Sequence, residues 1–325
     1  MAVGTKAEVG RPAGRLRRVN LAGQIPLLTL VLLCVATGLI TDRFLSQINL
    51  TNILVQSSIM AVIAMGMTFV IVGGGFDLSV GSIAALSGCV TAAVMLETNI
   101  PLGVAAGIAV GALVGLLNGL TVAALRVNPF IATLGTMVLV RGVVFLITGG
   151  AQVSGEFGLP DTFVRFGAER LVGIHYLVWI PAVLLVVLSW VLHLTPYGRK
   201  VFATGGNRDA AYLSGIPINR IITSTYVWCG ALAGVGGVML AARLQSGQPT
   251  AGEFYELTAI AAVVLGGASL YGGEGTLYKS VIGVFIMVVL GNALNLTNVD
   301  SYWQRVAIGA VIIAAAAVDR LKKRD

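Results

Sequence analysis

The chain has 325 residues, 57% of them hydrophobic and 11% charged, with a formal net charge of +7. Soluble domains run at roughly 45–50% apolar and about 25% charged, so this composition excludes an ordinary soluble enzyme and predicts an all-α polytopic membrane protein. The basic residues cluster in 6–18, 199–220 and 320–324, short segments beside apolar spans as cytoplasmic loops require, and no basic patch with interleaved aromatics offers a nucleic-acid surface.

The basic segment 1–20 lacks an apolar region ending in a small-residue cleavage site, so the first apolar run, 25–40, reads as a retained helix behind a cytoplasmic tail. Glycine and proline punctuation then divides the chain into about ten spans near the 20 residues a bilayer needs. They are 24–41, 52–72, 79–96, 102–125, 130–148, 172–194, 218–243, 257–270, 279–296 and 302–318. With the N-terminus inside, an even count returns the basic tail 319–325 to the cytoplasm. The short span 257–270 decides that parity, because a re-entrant segment there would break it. Residues 21–318 form one transmembrane domain with broken or re-entrant segments near 73–82 and 266–276.

The second and third spans meet at Gly73-Gly74-Gly75-Phe76-Asp77-Leu78-Ser79-Val80-Gly81-Ser82. A carboxylate at mid-membrane costs about 2.5–3.5 kcal/mol on insertion scales, so Asp77 must face protein or a water-filled cavity. The roles open to it are a cap for the helix starting near Ser79, contact with a ligand, gating, or contact with a partner. Further on, Asn128 caps a helix that Pro129 starts. Thr133 and Thr136 share a face at i, i+3, and line a pathway or pack against another helix. Arg141 on the same span must find a carboxylate, a carbonyl or water.

Two connections are hydrophilic. Segment 149–171 carries balanced charge, as an external loop does, whereas 195–217 is basic and reads as cytoplasmic. Within the latter, Asn207 precedes good helix formers, predicting a short helix that either presents Ala210 and Ala211 to a partner or is a solvated helical turn linking two spans. The last glycine-rich turn, 266–276, holds Glu274. It resembles 69–82 in running from an apolar helix into paired glycines, although such ends also arise without a repeat.

Several chemistries are absent from the sequence. No lysine follows the glycine that a phosphate-cradling loop requires; Tyr278 stands before Lys279. Neither histidine has a ligand candidate nearby, no cysteine pair has metal-ligand spacing, and no relay of carboxylates crosses the spans. No cofactor is expected on this chain.

Five ordered blocks resemble the ribose-type ABC sugar permeases: Gly74-Gly75-Phe76-Asp77-Leu78-Ser79-Val80-Gly81-Ser82, then Asn128-Pro129-Phe130-Ile131-Ala132-Thr133-Leu134-Gly135-Thr136-Met137 with Arg141-Gly142. After them come Thr195-Pro196-Tyr197-Gly198-Arg199, Ala203-Thr204-Gly205-Gly206-Asn207 leading to Ala210-Ala211 and Ser214-Gly215-Ile216, and Ala259–Gly267 with Gly272-Gly273-Glu274-Gly275-Thr276. The resemblance implies a transporter subunit without its own ATPase site, in a bacterial plasma membrane, with both termini cytoplasmic. It implies a second permease copy, an ABC ATPase subunit that hydrolyses ATP, an extracytoplasmic sugar-binding protein, and a monosaccharide cargo. In that setting 205–216 resembles the segment that docks on the ATPase, and Asp77, Ser79, Asn128, Thr133, Thr136, Arg141 and Glu274 are the pathway or gating candidates. Related permeases also move polyols, furanose signalling molecules and nucleosides; an ion-coupled carrier is the alternative from another class.

Overall fold

The computed structural model describes residues 24–322; the tail 1–20 and the last three residues lie outside the described range. The helices are α1 (Ile25–Ile40), α2 (Gln47–Val72), α3 (Val80–Glu97), α4 (Ile100–Ala123), α5 (Pro129–Thr148), α6 (Asp161–Ala168), α7 (Tyr176–Leu194), α8 (Pro196–Gly206), α9 (Arg208–Leu213), α10 (Ile218–Leu244), α11 (Tyr255–Leu265), α12 (Leu277–Leu296) and α13 (Ser301–Lys322). One small hairpin, β1 (Arg170–Leu171) with β2 (Ile174–His175), interrupts the helical order.

Each of the ten predicted spans coincides with a helix, and seven of these are long and apolar enough to cross a membrane among the described residues. The apolar helices at Ile25–Ile40, Tyr255–Leu265 and Tyr302–Ala317 are shorter. Starts follow the expected chemistry. Ser46 accepts from Asn49 N, Asn99 from Leu102 N and Asn128 from Phe130 N, with proline in the first turn of α4 and α5. Helix α7 begins later than expected, because Val172 and Gly173 both take positive φ in the turn of the hairpin.

Helix α2 is the axis of the bundle. From Ser57 to Val72 every residue is buried, which is why it is apolar all round rather than striped. It is wrapped by α10, α12, α7 and α11. Outer faces of α4, α5 and α7 expose leucine, valine and phenylalanine, as lipid-facing surfaces do. Between helices, glycine replaces side chains: Gly111 and Gly115 of α4 lie against Gly230, Gly234 and Tyr226 of α10, the close approach expected where lipid supplies no hydrophobic drive.

The span at 257–270 is corrected in form. The helix is only Tyr255–Leu265, preceded by a non-helical stretch, 245–254. Gly247 pairs with Val153 of the loop after α5 and lies against Cys89, while Gly273 at the far end donates to Val72 O at 2.9 Å. Helix α12 runs opposite to α2, with Asn292 beside Asn49 at one end and the Ser280 and Thr68 hydroxyls 2.9 Å apart at the other. Helix α11 runs opposite to α12, Ala262 against Gly283 and Gly266 against Lys279. The stretch 247–273 therefore traverses the bundle from one end toward the other; it does not turn back.

Candidate functional site

Asp77 is fully buried in the break between α2 and α3. Its Oδ1 accepts from Ser79 N at 2.9 Å and Ser79 Oγ at 2.6 Å. Asn118 on α4 reaches across, its Nδ2 3.3 and 3.4 Å from the two carboxylate oxygens and 2.8 Å from Ser79 Oγ. The expected helix cap is thus modified. Ser79 occupies the N-cap position with no side-chain bond into α3, and Asp77 fixes Ser79 instead of the helix end. On the other side, the Tyr226 hydroxyl of α10 donates to Phe76 O at 3.0 Å. Asn118 and Tyr226 escape the motif reading; the available signal was a lone amide inside an otherwise apolar helix. Tyr226→Phe removes one donor to a neutral carbonyl and keeps the ring's packing. It is expected to cost about 0.5–1.5 kcal/mol, read as a small drop in the detergent-solubilised melting temperature with uptake within about fivefold of the parent.

The second feature is a backbone junction. Gly74, φ +81, sits over Gly205, and Gly272 and Gly273, φ +85 and +75, sit over Gly205 and Gly206. These φ values belong to glycine. A Cβ on Gly205 would collide with the Val72 carbonyl and come 2.8 Å from Gly273 N. Arg208 Nη2 donates to Gly74 O at 3.1 Å. The two glycine-paired turns, far apart in sequence, therefore meet at the end of α2, and loop 195–217 is laced to both.

The remaining candidates divide. Asn128 is exposed and serves as the α5 cap. Thr133 is buried, but both it and Thr136 donate to backbone carbonyls one turn back, at 2.8 and 3.1 Å. Arg141 finds carbonyls: Nη1 donates to Pro249 O at 2.6 Å and Ala251 O at 3.0 Å, pinning the non-helical stretch before α11. Glu274 is exposed in its turn, its backbone oxygen accepting from Ser269 N at 3.1 Å. None of these residues touches the Asp77 cluster through a hydrogen bond among those formed by the described residues.

In the basic loop, Asn207 accepts from Ala210 N at 3.0 Å and starts α9 as expected. Ser214 and Gly215 close it, with Ser214 N bonded to Ala210 O, and Ile216 N to Ala211 O. One expectation is corrected: Ala211 is 4% exposed and faces its own chain, so the outward surface is Ala210 with Tyr212 and Leu213, 72% and 85% exposed.

Residues 49–316 match the family described as branched-chain amino acid transport system / permease component. The ribose import permease protein RbsC of Escherichia coli (strain K12) is 44% identical over 302 residues, 92% of this chain and 94% of that protein. RbsC of Bacillus subtilis (strain 168) is 45% identical over 91% of this chain and 92% of its own. The L-arabinose transport system permease protein AraH of Escherichia coli (strain K12) is 37% identical over 92% and 90%. No solved structure matches. A family description that speaks of amino acids and relatives that carry sugars agree on the membrane machine and differ on cargo; the full-length relatives decide the branch. A bundle with a buried carboxylate at a broken helix, a basic loop tied to two glycine turns, and this similarity from end to end together place the chain in the family of ribose-type ABC sugar permeases.

Proposed function

We propose that this permease imports a pentose or hexose as one of two copies, driven by ATP that a partner ATPase hydrolyses beneath loop 195–217 and supplied by an extracytoplasmic sugar-binding protein. The chain binds no nucleotide or metal of its own. Both termini lie in the cytoplasm, with ten crossings between them. Relatives named for ribose and arabinose import support the cargo class, and D-allose permease AlsC of Escherichia coli (strain K12), 38% identical over 90% of this chain, extends it to hexoses.

The observation that carries the reading is the junction at Gly205. A docked partner moving α9 by even a few ångströms displaces the backbone against which the end of α2 and the glycine turn between α11 and α12 rest, because nothing compressible lies between them. Force applied at an exposed loop thereby reaches both broken elements.

The test uses membranes containing the permease with its ATPase and binding protein. Ala210→Trp puts a bulky ring on the outward face of α9, and overpacking a joint costs about 1–3 kcal/mol, roughly five- to 150-fold in docking. Sugar uptake and binding-protein-stimulated ATP hydrolysis are expected to fall together, with unchanged membrane abundance. Unchanged uptake, or labelling of Ala210→Cys from outside intact cells, overturns the assignment.

A further inference from the structure

A cavity of about 350 Å³ lies between α2, α11, α12 and α13, lined by none of the Asp77 cluster or the junction. That volume is within the range of small-molecule sites, roughly 300–1,000 Å³. Its wall is too polar for a groove that faces lipid. Gln56 comes from α2, Glu253 from the stretch before α11, Asn295 from α12, and Gln304 and Arg305 from α13. Polar side chains at membrane depth face protein or water. Asn292 in the same wall is occupied, exchanging amide hydrogen bonds with Asn49 at 2.7 and 3.0 Å, and so acts as a fixed brace.

Phe254 gives the cavity an aromatic face. Its φ of +63 is a strained backbone for a bulky side chain, and strain of this kind persists only where neighbours enforce it and collects at ligand clamps. Here Arg141 holds Ala251 O, three residues upstream, and the Arg305 guanidinium lies 4.9 Å from the ring centroid. Gln304 Nε2 donates to Asn295 Oδ1 at 2.7 Å and to Val299 O at 3.3 Å, leaving the Gln304 side-chain oxygen and the Asn295 NH2 for a ligand. An aromatic plate beside amides and a carboxylate is the chemistry that holds a sugar: ring C–H groups against the plate, and hydroxyls, donor and acceptor at once, against the rim.

We propose that this cavity is a transit site for the imported sugar, with Phe254 as the stacking plate and Gln56, Glu253, Asn295 and Gln304 as hydroxyl partners. This rests on the sugar reading of the preceding section. Phe254 is 45% exposed, so the site covers part of its cargo and lets it go.

The experiment reads uptake of radiolabelled ribose, arabinose and allose in membranes carrying the complete importer. Phe254→Leu and Asn295→Ala are expected to lower maximal uptake at least fivefold while binding-protein-stimulated ATP hydrolysis stays within twofold of the parent. Gln56→Cys and Asn295→Cys are expected to react with a hydrophilic methanethiosulfonate, above the background from Cys34, Cys89 and Cys229, and transported sugar should slow that reaction at least threefold. The labelling decides the matter if an uptake variant fails to reach the membrane. Thiols that react only with a membrane-soluble maleimide, or uptake at the parental rate in both variants, overturn the transit site alone. A parent that moves none of the three sugars overturns the cargo reading with it.

Discussion

Gly205→Val is expected to abolish uptake, while Gly206→Ala one residue away leaves it near the parental rate. At Gly205 a Cβ meets the Val72 carbonyl and the Gly273 amide, both main chain, and no rotamer change can relieve a clash with backbone. Overpacking typically costs about 1–3 kcal/mol even where side chains can move aside, so here the figure is a floor. At Gly206 the nearest atom to a new Cβ is Gly273 Cα at 3.8 Å, an ordinary contact. The measurement is uptake normalised to membrane abundance, with thermal stability of the solubilised chain beside it. Equal behaviour of the two variants would mean that the turns part company during the cycle.

Asp77→Ala is expected to be the most damaging single change at the polar cluster. It strands the Ser79 N–H and the Ser79 hydroxyl proton in a site without solvent, and each stranded group costs about 1–3 kcal/mol, while Asn118 Nδ2 is left with only its bond to Ser79 Oγ at 2.8 Å. Asp77→Asn keeps an acceptor for Ser79 but can turn an NH2 toward the Asn118 NH2, so an intermediate loss is expected. Adding Asn118→Asp to that variant restores one carboxylate and one amide in exchanged places, and part of the lost stability should return. A double variant no better than the sum of the singles would show that the two side chains do not couple.

The helical bundle was legible in the sequence because apolar runs of bilayer length admit few alternatives. Asp77 was legible for a related reason, the cost of a carboxylate between spans. Its partners were not, since Asn118 and Tyr226 lie far along the chain, and only packing of α4 and α10 brings them in. Each glycine pair reads locally as a turn, but nothing in 72–75, 205–206 or 272–273 says that the three are one contact. The amphipathic helix α6 was missed inside the loop 149–171 although Pro160 stands just before it, a start signal too short to outweigh the charge around it. The break at 245–254 carried its own signals, Gly247, Pro249 and Gly252, yet its depth comes from Arg141 on a different helix.

Helix α4 carries glycine at 103, 107, 111, 115 and 119, a pitch of four residues or about 6 Å of rise. The first two receive α3 and the last three receive α10. A groove so evenly graduated looks almost the same after a slip of one graduation, so smooth contact alone cannot index α4 against its neighbours. Two pins do it: Asn118 in the Asp77–Ser79 pair, and Thr223, whose hydroxyl reaches Gly119 O at 3.3 Å. Asn118 thus has a second duty as the zero mark of a ruler. A chain lacking it can still assemble and yet be read one notch out of place.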